Sequence, residues 1–161
     1  MSVRLEAATE VAAPVTRVWD ELIDWPGQSR WIPLTTVRIV SDHDAGIGVR
    51  AAALSGLWLG PVPLGLLDRF VVSGWTPPKP GADGHPRAEL EVRHLGPYFT
   101  GVGTFGLRGH ETGTTVSCVE LFDLPGGRLL DPVGRLLLPV LRRGFQASLR
   151  KFAAVCEPAW S

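Results

Sequence analysis

Five polar side chains in or beside strand-like runs are candidates for chemistry: Arg69, Glu91, His94, Tyr98 and Glu120. In "DRFVVSGW" Arg69 alternates with Val71 and Trp75, so an internal face there takes the guanidinium inside. A buried guanidinium requires an anionic partner, from the protein or from a ligand. Glu120 alternates with Val116, Cys118 and Phe122 and makes the same demand. An Arg–Glu pair across adjacent strands would satisfy both, and so would contacts to a ligand. Tyr98 is the single tyrosine, a phenol able to donate a hydrogen bond to a carbonyl or to act as an acid. His43, His85 and His110 fall in or beside turns, and only His94 sits near a strand end from which it reaches a pocket. Tyr98, His94, Arg69 and Glu120 are therefore the candidates for moving protons.

No motif adds a cofactor or a metal to that set. "GVGTFG" at 101–106 matches G-x-G-x-x-G, but that pattern binds a dinucleotide only between a strand and a helix of a βαβ unit. Here the glycines sit inside a strand-like run with Phe99, Phe105 and Leu107 on one side and Val102 on the other. They read instead as sites of sheet bending or of close approach by a ligand. G-x-S-x-G, H-E-x-x-H and P-loop patterns are absent, and Cys118 and Cys156 have no metal or redox spacing. The cysteines read as reduced thiols buried in a cytoplasmic protein.

The elements that must position these groups follow from periodicity. Residues 3–11 alternate as a strand. Val15, Val18, Trp19, Leu22 and Ile23 then follow the i, i+3, i+4 template of a helix with Pro14 at its first position, and Pro26-Gly27 stops it. Trp19, Trp25 and Trp31 are six residues apart, and on one continuous helix each step of six turns a ring by about 240°. The break at Pro26 puts Trp31 on a second short segment and lets all three rings face one interior. Six strand-like runs follow, at 36–43, 47–54, 66–76, 87–95, 98–108 and 113–123, separated by Gly/Pro-rich turns in hairpin spacing. "LSGLWLGPVPLG" at 54–65 resists assignment.

Asp131 and Pro132 open a terminal helix over 131–157, with Val133, Leu136, Leu137, Val140, Leu141, Phe145, Leu149 and Phe152 on one stripe and a bend expected at Pro139. Gly144 and Ser148 continue the stripe of Leu137 and Leu141 yet carry almost no side chain. Interiors are close-packed, so small residues there signal either an open space between helix and sheet or close backbone packing.

The 161 residues suit one domain spanning 1–161, and the 16 basic and 16 acidic residues cancel, which leaves no field to attract nucleic acid. All but two of the basic residues, Lys79 and Lys151, are Arg, and Asn is absent, a bias of GC-rich bacterial genomes. The N-terminus has no apolar signal core and "LLLPVL" at 136–141 is far below the roughly 20 residues of a membrane span, so a cytoplasmic location is expected.

Taken in order, "AAPVTRVWDELIDWPGQSRWIP" at 12–33, "WTPPKP" at 75–80, "HLGPYFTGVGTFGL" at 94–107, "GTTVSCVE" at 113–120 and "RRGFQASLRKFAAVCE" at 142–157 resemble the START / Bet v 1-like superfamily, polyketide cyclase/dehydrase-like branch. The resemblance covers essentially the whole chain. It implies an α+β helix-grip fold: a seven-stranded curved antiparallel sheet wrapped around a long C-terminal helix, with two short helices between strands 1 and 2. It further implies a cavity for a hydrophobic small molecule, bordered by Trp31, Trp58, Arg69, Tyr98, Phe105, Glu120, Phe122, Leu141, Gly144, Phe145 and Ser148, with no cofactor or metal. Three functions compete. The first is a binder of a lipid-, aromatic- or polyketide-like molecule, as a monomer or homodimer. The second is a cofactor-independent cyclase, aromatase or dehydratase, and the third an interaction module presenting Arg142 and Arg143 to an acidic partner.

Overall fold

A computed structural model describes residues 2–59, 62–123 and 127–157, and for 57–59, 62–64 and 127–137 it describes the backbone alone. The first strand, β1 (Ser2–Val11), buries Val3, Leu5, Ala7 and Val11 and exposes their alternate neighbours, as the period-2 pattern requires. Helix α1 (Val15–Ile23) buries Val15, Val18, Trp19 and Leu22, with Pro14 at the N-cap rather than inside. A 3-10 turn, Pro26–Arg30, follows directly.

This corner is held by a buried carboxylate. Glu21 is 3% exposed and accepts from Arg30 Nη2 at 2.5 Å and Nε at 3.1 Å, while Arg30 also reaches Asp24 at 2.7 Å. Gln28 Nε2 donates to the Leu22 carbonyl at 3.2 Å. The chain thus doubles back after α1, and Trp19, Trp25 and Trp31 all turn inward and are buried. Each ring meets a different partner: Trp19 stands edge-on to Trp75 with centroids 5.0 Å apart, Trp25 lies 5.6 Å from Phe70, and Trp31 lies 4.9 Å from Phe152.

Six further strands complete the sheet: β2 (Thr35–Ile39), β3 (Arg50–Leu59), β4 (Val62–Pro80), β5 (Pro86–Pro97), β6 (Thr100–His110) and β7 (Gly113–Asp123). The seven strands lie in the order β1-β7-β6-β5-β4-β3-β2, every pair antiparallel. The unassigned 54–65 segment belongs to β3 and β4, which run on as a long hairpin, with residues 60–61 outside the described set.

The 19-residue β4 carries register shifts against β5 between Asp68 and Phe70, between Val72 and Gly74, and between Thr76 and Lys79. Each bulge bends the strand and can reverse which face its side chains take. Asp68, Phe70 and Val72 face inward; past the second shift Trp75 does so too, paired with buried Leu90. Arg69 and Val71 are therefore on the outer face although Trp75 is not. The uniform alternation of Arg69 with Trp75 read from the sequence fails at that bulge.

Helix α2 (Gly127–Cys156) begins one turn before the expected Asp131 start, placing Asp131 and Pro132 inside it. Leu129 and Leu130 extend the apolar run by that turn, and Pro132, as the sixth residue, forfeits a single backbone bond. The C-terminal half is clamped to the sheet and α1: Leu149, Phe152, Ala153 and Cys156 are buried, Gln146 Nε2 donates to Ala8 O at 2.9 Å, and Ala12 N donates to Glu157 at 3.1 Å. Val140 and Leu141, nearer the start, are exposed. Among the described residues no helix is long and apolar enough to cross a membrane.

Candidate functional site

The hollow between sheet and α2 exists. Its larger chamber has a volume of about 380 Å³, within the range of small-molecule sites, and is walled by Leu5, Ile32, Phe99, Phe105, Phe122, Phe145 and Leu149 among others. A smaller chamber of about 110 Å³ lies deeper, against Trp25, Gln28, Ala53, Asp68 and Phe70. Trp31, Ile32, His94, Phe105 and Glu120 border both.

At that junction three polar side chains from three strands meet. His94 on β5 donates through Nδ1 to Asp68 Oδ2 on β4 at 2.8 Å and through Nε2 to Glu120 Oε2 on β7 at 3.2 Å. A carboxylate only accepts, so an imidazole facing one on each side must donate from both nitrogens, which makes it the imidazolium. Burial opposes that charge, but the hydrogen bonds and charges of Asp68 and Glu120 outweigh it and lift the His94 pKa from 6.5 to about 9. Aromatic rings back the cation: Phe99 lies 5.1 Å and Phe70 6.4 Å from the His94 ring, and Phe122 lies 5.7 Å from Phe99.

Backbone geometry makes the cluster possible. Adjacent strands are about 4.8 Å apart, so His94 and Glu120 stand two strand spacings from each other and must meet across β6. The residue of β6 paired with Glu120 is Gly103, where a Cβ would fall 2.5 Å from Oε1 and 2.6 Å from Oε2 of Glu120. The residue paired with His94 is Gly101, where a Cβ would collide with the backbone of Leu121 and Phe122. The glycines of "GVGTFG" thus admit a carboxylate and a neighbouring strand, not a phosphate.

Of the residues singled out from the sequence, Trp31, His94, Phe105, Glu120, Phe122, Leu141, Phe145 and Ser148 line the hollow. Arg69 does not. It is exposed on the outer face and its Nε reaches the Gly96 carbonyl at 3.4 Å, so no buried charge there demands an anionic partner, and Glu120 serves His94 instead. Tyr98 was assigned to a strand but lies in the β5–β6 turn, 47% exposed, while its neighbour Phe99 takes the inward position. Gly144 is exposed, and a Cβ there would meet nothing within 4 Å. Leu141, Phe145, Ser148 and Leu149 span an arc of about 100° on the helix, and Gly144 falls about 60° behind Leu141, beyond its edge. Glu91 takes a hydrogen bond from Ser73 at 2.6 Å, away from the hollow. The Trp58 side chain lies outside the described residues.

Sequence reasoning missed Asp68 as a site residue, along with Leu5, Ile32, Leu66, Phe99 and Leu149 as lining. The signal for Asp68 was its alternation with Phe70 and Val72, hidden by the bulge that follows. Cys118 also approaches the cluster, its Sγ 4.0 Å from Glu120 Oε1. Burial, and secondarily the Glu120 charge, pushes that thiol far above its ordinary pKa, so it supplies no thiolate. Among the described residues no group of three or more His, Cys, Asp or Glu side chains could hold a metal ion.

No family model matches the chain, and no curated protein matches it either. Solved structures do. The Zhui aromatase/cyclase from Streptomyces sp. R1128 is 17% identical, with a TM-score of 0.63 over 97% of this chain and 94% of its own. Ara h 8.0201 is 10% identical, with a TM-score of 0.63 over 97% and 98%. The di-domain ARO/CYC BexL from the BE-7585A biosynthetic pathway is 14% identical, with a TM-score of 0.68 over 99% of this chain and 51% of that one. The chain shares the helix-grip fold of these structures, the fold its sequence resemblance implied, and aromatase/cyclases are among them.

Proposed function

We propose that the protein binds an apolar small molecule, aromatic or polyketide-like, in the hollow between the sheet and α2. The observation that carries this reading is a 380 Å³ chamber with an almost wholly apolar wall and the charged trio Asp68, His94 and Glu120 at its inner end. Apolar walls give affinity, and a few convergent polar groups give orientation. A neutral fluorescent probe, N-phenyl-1-naphthylamine, is expected to bind saturably at one site per chain. Ser148→Trp, which fills the chamber from α2, is expected to abolish that binding while circular dichroism shows the fold retained. No saturable binding to the folded wild-type protein overturns the reading.

A second reading, a cofactor-independent cyclase, aromatase or dehydratase, is favoured by the trio itself. A buried charged cluster is costly, and titratable groups held this way beside a cavity recur where protons are transferred. In that reading His94 is the proton donor, Glu120 and Asp68 retain and return the proton, and the apolar walls fold a flexible substrate into a reactive geometry. The likeness to aromatase/cyclases supports it at the level of fold.

A further inference from the structure

Among the described residues two buried side-chain polar atoms have no hydrogen-bond partner, Trp31 Nε1 and Asp68 Oδ1. Both residues border the 110 Å³ inner chamber. Buried polar groups in folded proteins are almost always paired, so an exception calls for an explanation. The neighbouring tryptophan shows what the fold does when nothing else is asked of the ring: Trp25, 2% exposed, donates from Nε1 to the Asp44 carbonyl at 2.9 Å. Trp31, 4% exposed, is as deeply placed, yet its N–H has no partner, and the residue borders the inner chamber. Asp68 likewise commits Oδ2 to His94 and keeps Oδ1 free.

We propose that the inner chamber is a subsite for a neutral hydroxyl group, phenolic, enolic or alcoholic, carried by the apolar guest, which accepts from Trp31 Nε1 and donates to Asp68 Oδ1. This rests on the binding reading above and deepens it by naming the guest's polar end. One unpaired donor and one unpaired acceptor on residues that wall the same small chamber call for a group that does both, and a hydroxyl does. A ketone or ether satisfies Trp31 alone, and an ammonium satisfies Asp68 alone. A carboxylate has no proton to give and would enter a chamber where two carboxylates already face one imidazolium. The larger chamber then holds the rings, and the smaller takes the hydroxyl.

The test compares four bicyclic probes at neutral pH by calorimetry: 2-naphthol, 2-methoxynaphthalene, naphthalene and 2-naphthoate. The expected result is 2-naphthol tightest, by about tenfold over both naphthalene and 2-methoxynaphthalene, with 2-naphthoate weakest. Trp31→Phe keeps an aromatic ring against Phe152 and removes the N–H. It is expected to cut the naphthol-to-naphthalene affinity ratio from about tenfold to about twofold, a ratio in which any loss of wall contact common to both guests cancels. Equal affinity for naphthol and naphthalene, tightest binding of naphthoate, or a naphthol preference that survives Trp31→Phe each overturns the subsite while leaving a binding cavity in place. If none of the four binds the folded wild-type protein, the binding reading falls and the subsite falls with it.

Discussion

His94 and Glu120 stand on strands that are not neighbours, yet Nε2 and Oε2 are 3.2 Å apart because the strand between them presents only Gly103 beneath the carboxylate. The charged centre of the hollow thus depends on a residue with no side chain. Gly103→Ala is expected to displace the far end of Glu120, a flexible group, at a cost of about 1 kcal/mol. It should drop the His94 pKa below its value of about 9, read by NMR titration of the imidazole C–H signals. An unchanged titration would remove Glu120 as the partner. Gly101→Ala is the contrast, since its Cβ would strike backbone, 2.6 Å from Phe122 Cα, at a φ of +156°. The expected loss is about 2–3 kcal/mol.

Stability should fall with rising pH through the same group. The folded-state pKa of His94, about 9, lies above the unfolded value of 6.5. Its stabilisation is therefore fully present below pH 6.5 and lost as pH climbs through 9. The amount is on the order of 3 kcal/mol, at about 1.4 kcal/mol per pK unit. Urea unfolding midpoints across that window should decline more steeply for the wild type than for His94→Gln. Parallel curves for the two proteins would show that His94 has no raised pKa.

Glu21→Ala removes the carboxylate that folds the chain back after α1. Glu21 is buried and Arg30 is half exposed, so the arginine returns to water and the 3-10 turn that carries it loses that anchor. The expected destabilisation is about 2–3 kcal/mol by urea titration. Probe affinity should weaken as well, because Trp31 follows that turn directly.

The two functional readings separate at His94. For a binder, His94→Gln changes probe affinity by a few fold and abolishes no reaction. For an enzyme it stops product formation from a poly-β-ketone substrate while naphthalene-type probes still bind. Tyr98→Phe and Arg69→Ala, both outside the hollow, should leave probe affinity within about twofold in either case.

Much of the fold was legible because its signals are local. The alternation of β1, the amphipathic stripe of α1 and its stop at Pro26 each record a residue's immediate environment. The adjacency of β1 and β7 was not readable, since nothing in either strand's pattern names its partner. In the site, Glu120 and Phe122 were legible because β7 runs without interruption, from Val116 through Cys118 to the cavity wall. Which of Asp68 and Arg69 faces inward was not legible, because both are polar and β4 is bulged, and a bulge changes parity without leaving a distinctive residue. Tyr98 was misplaced by a boundary error of two residues at a turn, enough to exchange its position with that of Phe99.

Leu149, Phe152, Ala153 and Cys156 lock the last turns of helix α2, whereas Leu141, farther up it, is 42% exposed and borders the hollow together with Leu66, 43% exposed. Parting the two costs little fresh contact with solvent, because these leucines are half wetted already. On the binding reading, a guest would pass between these two leucines, and the buried charges at the far side would keep their alignment as it did.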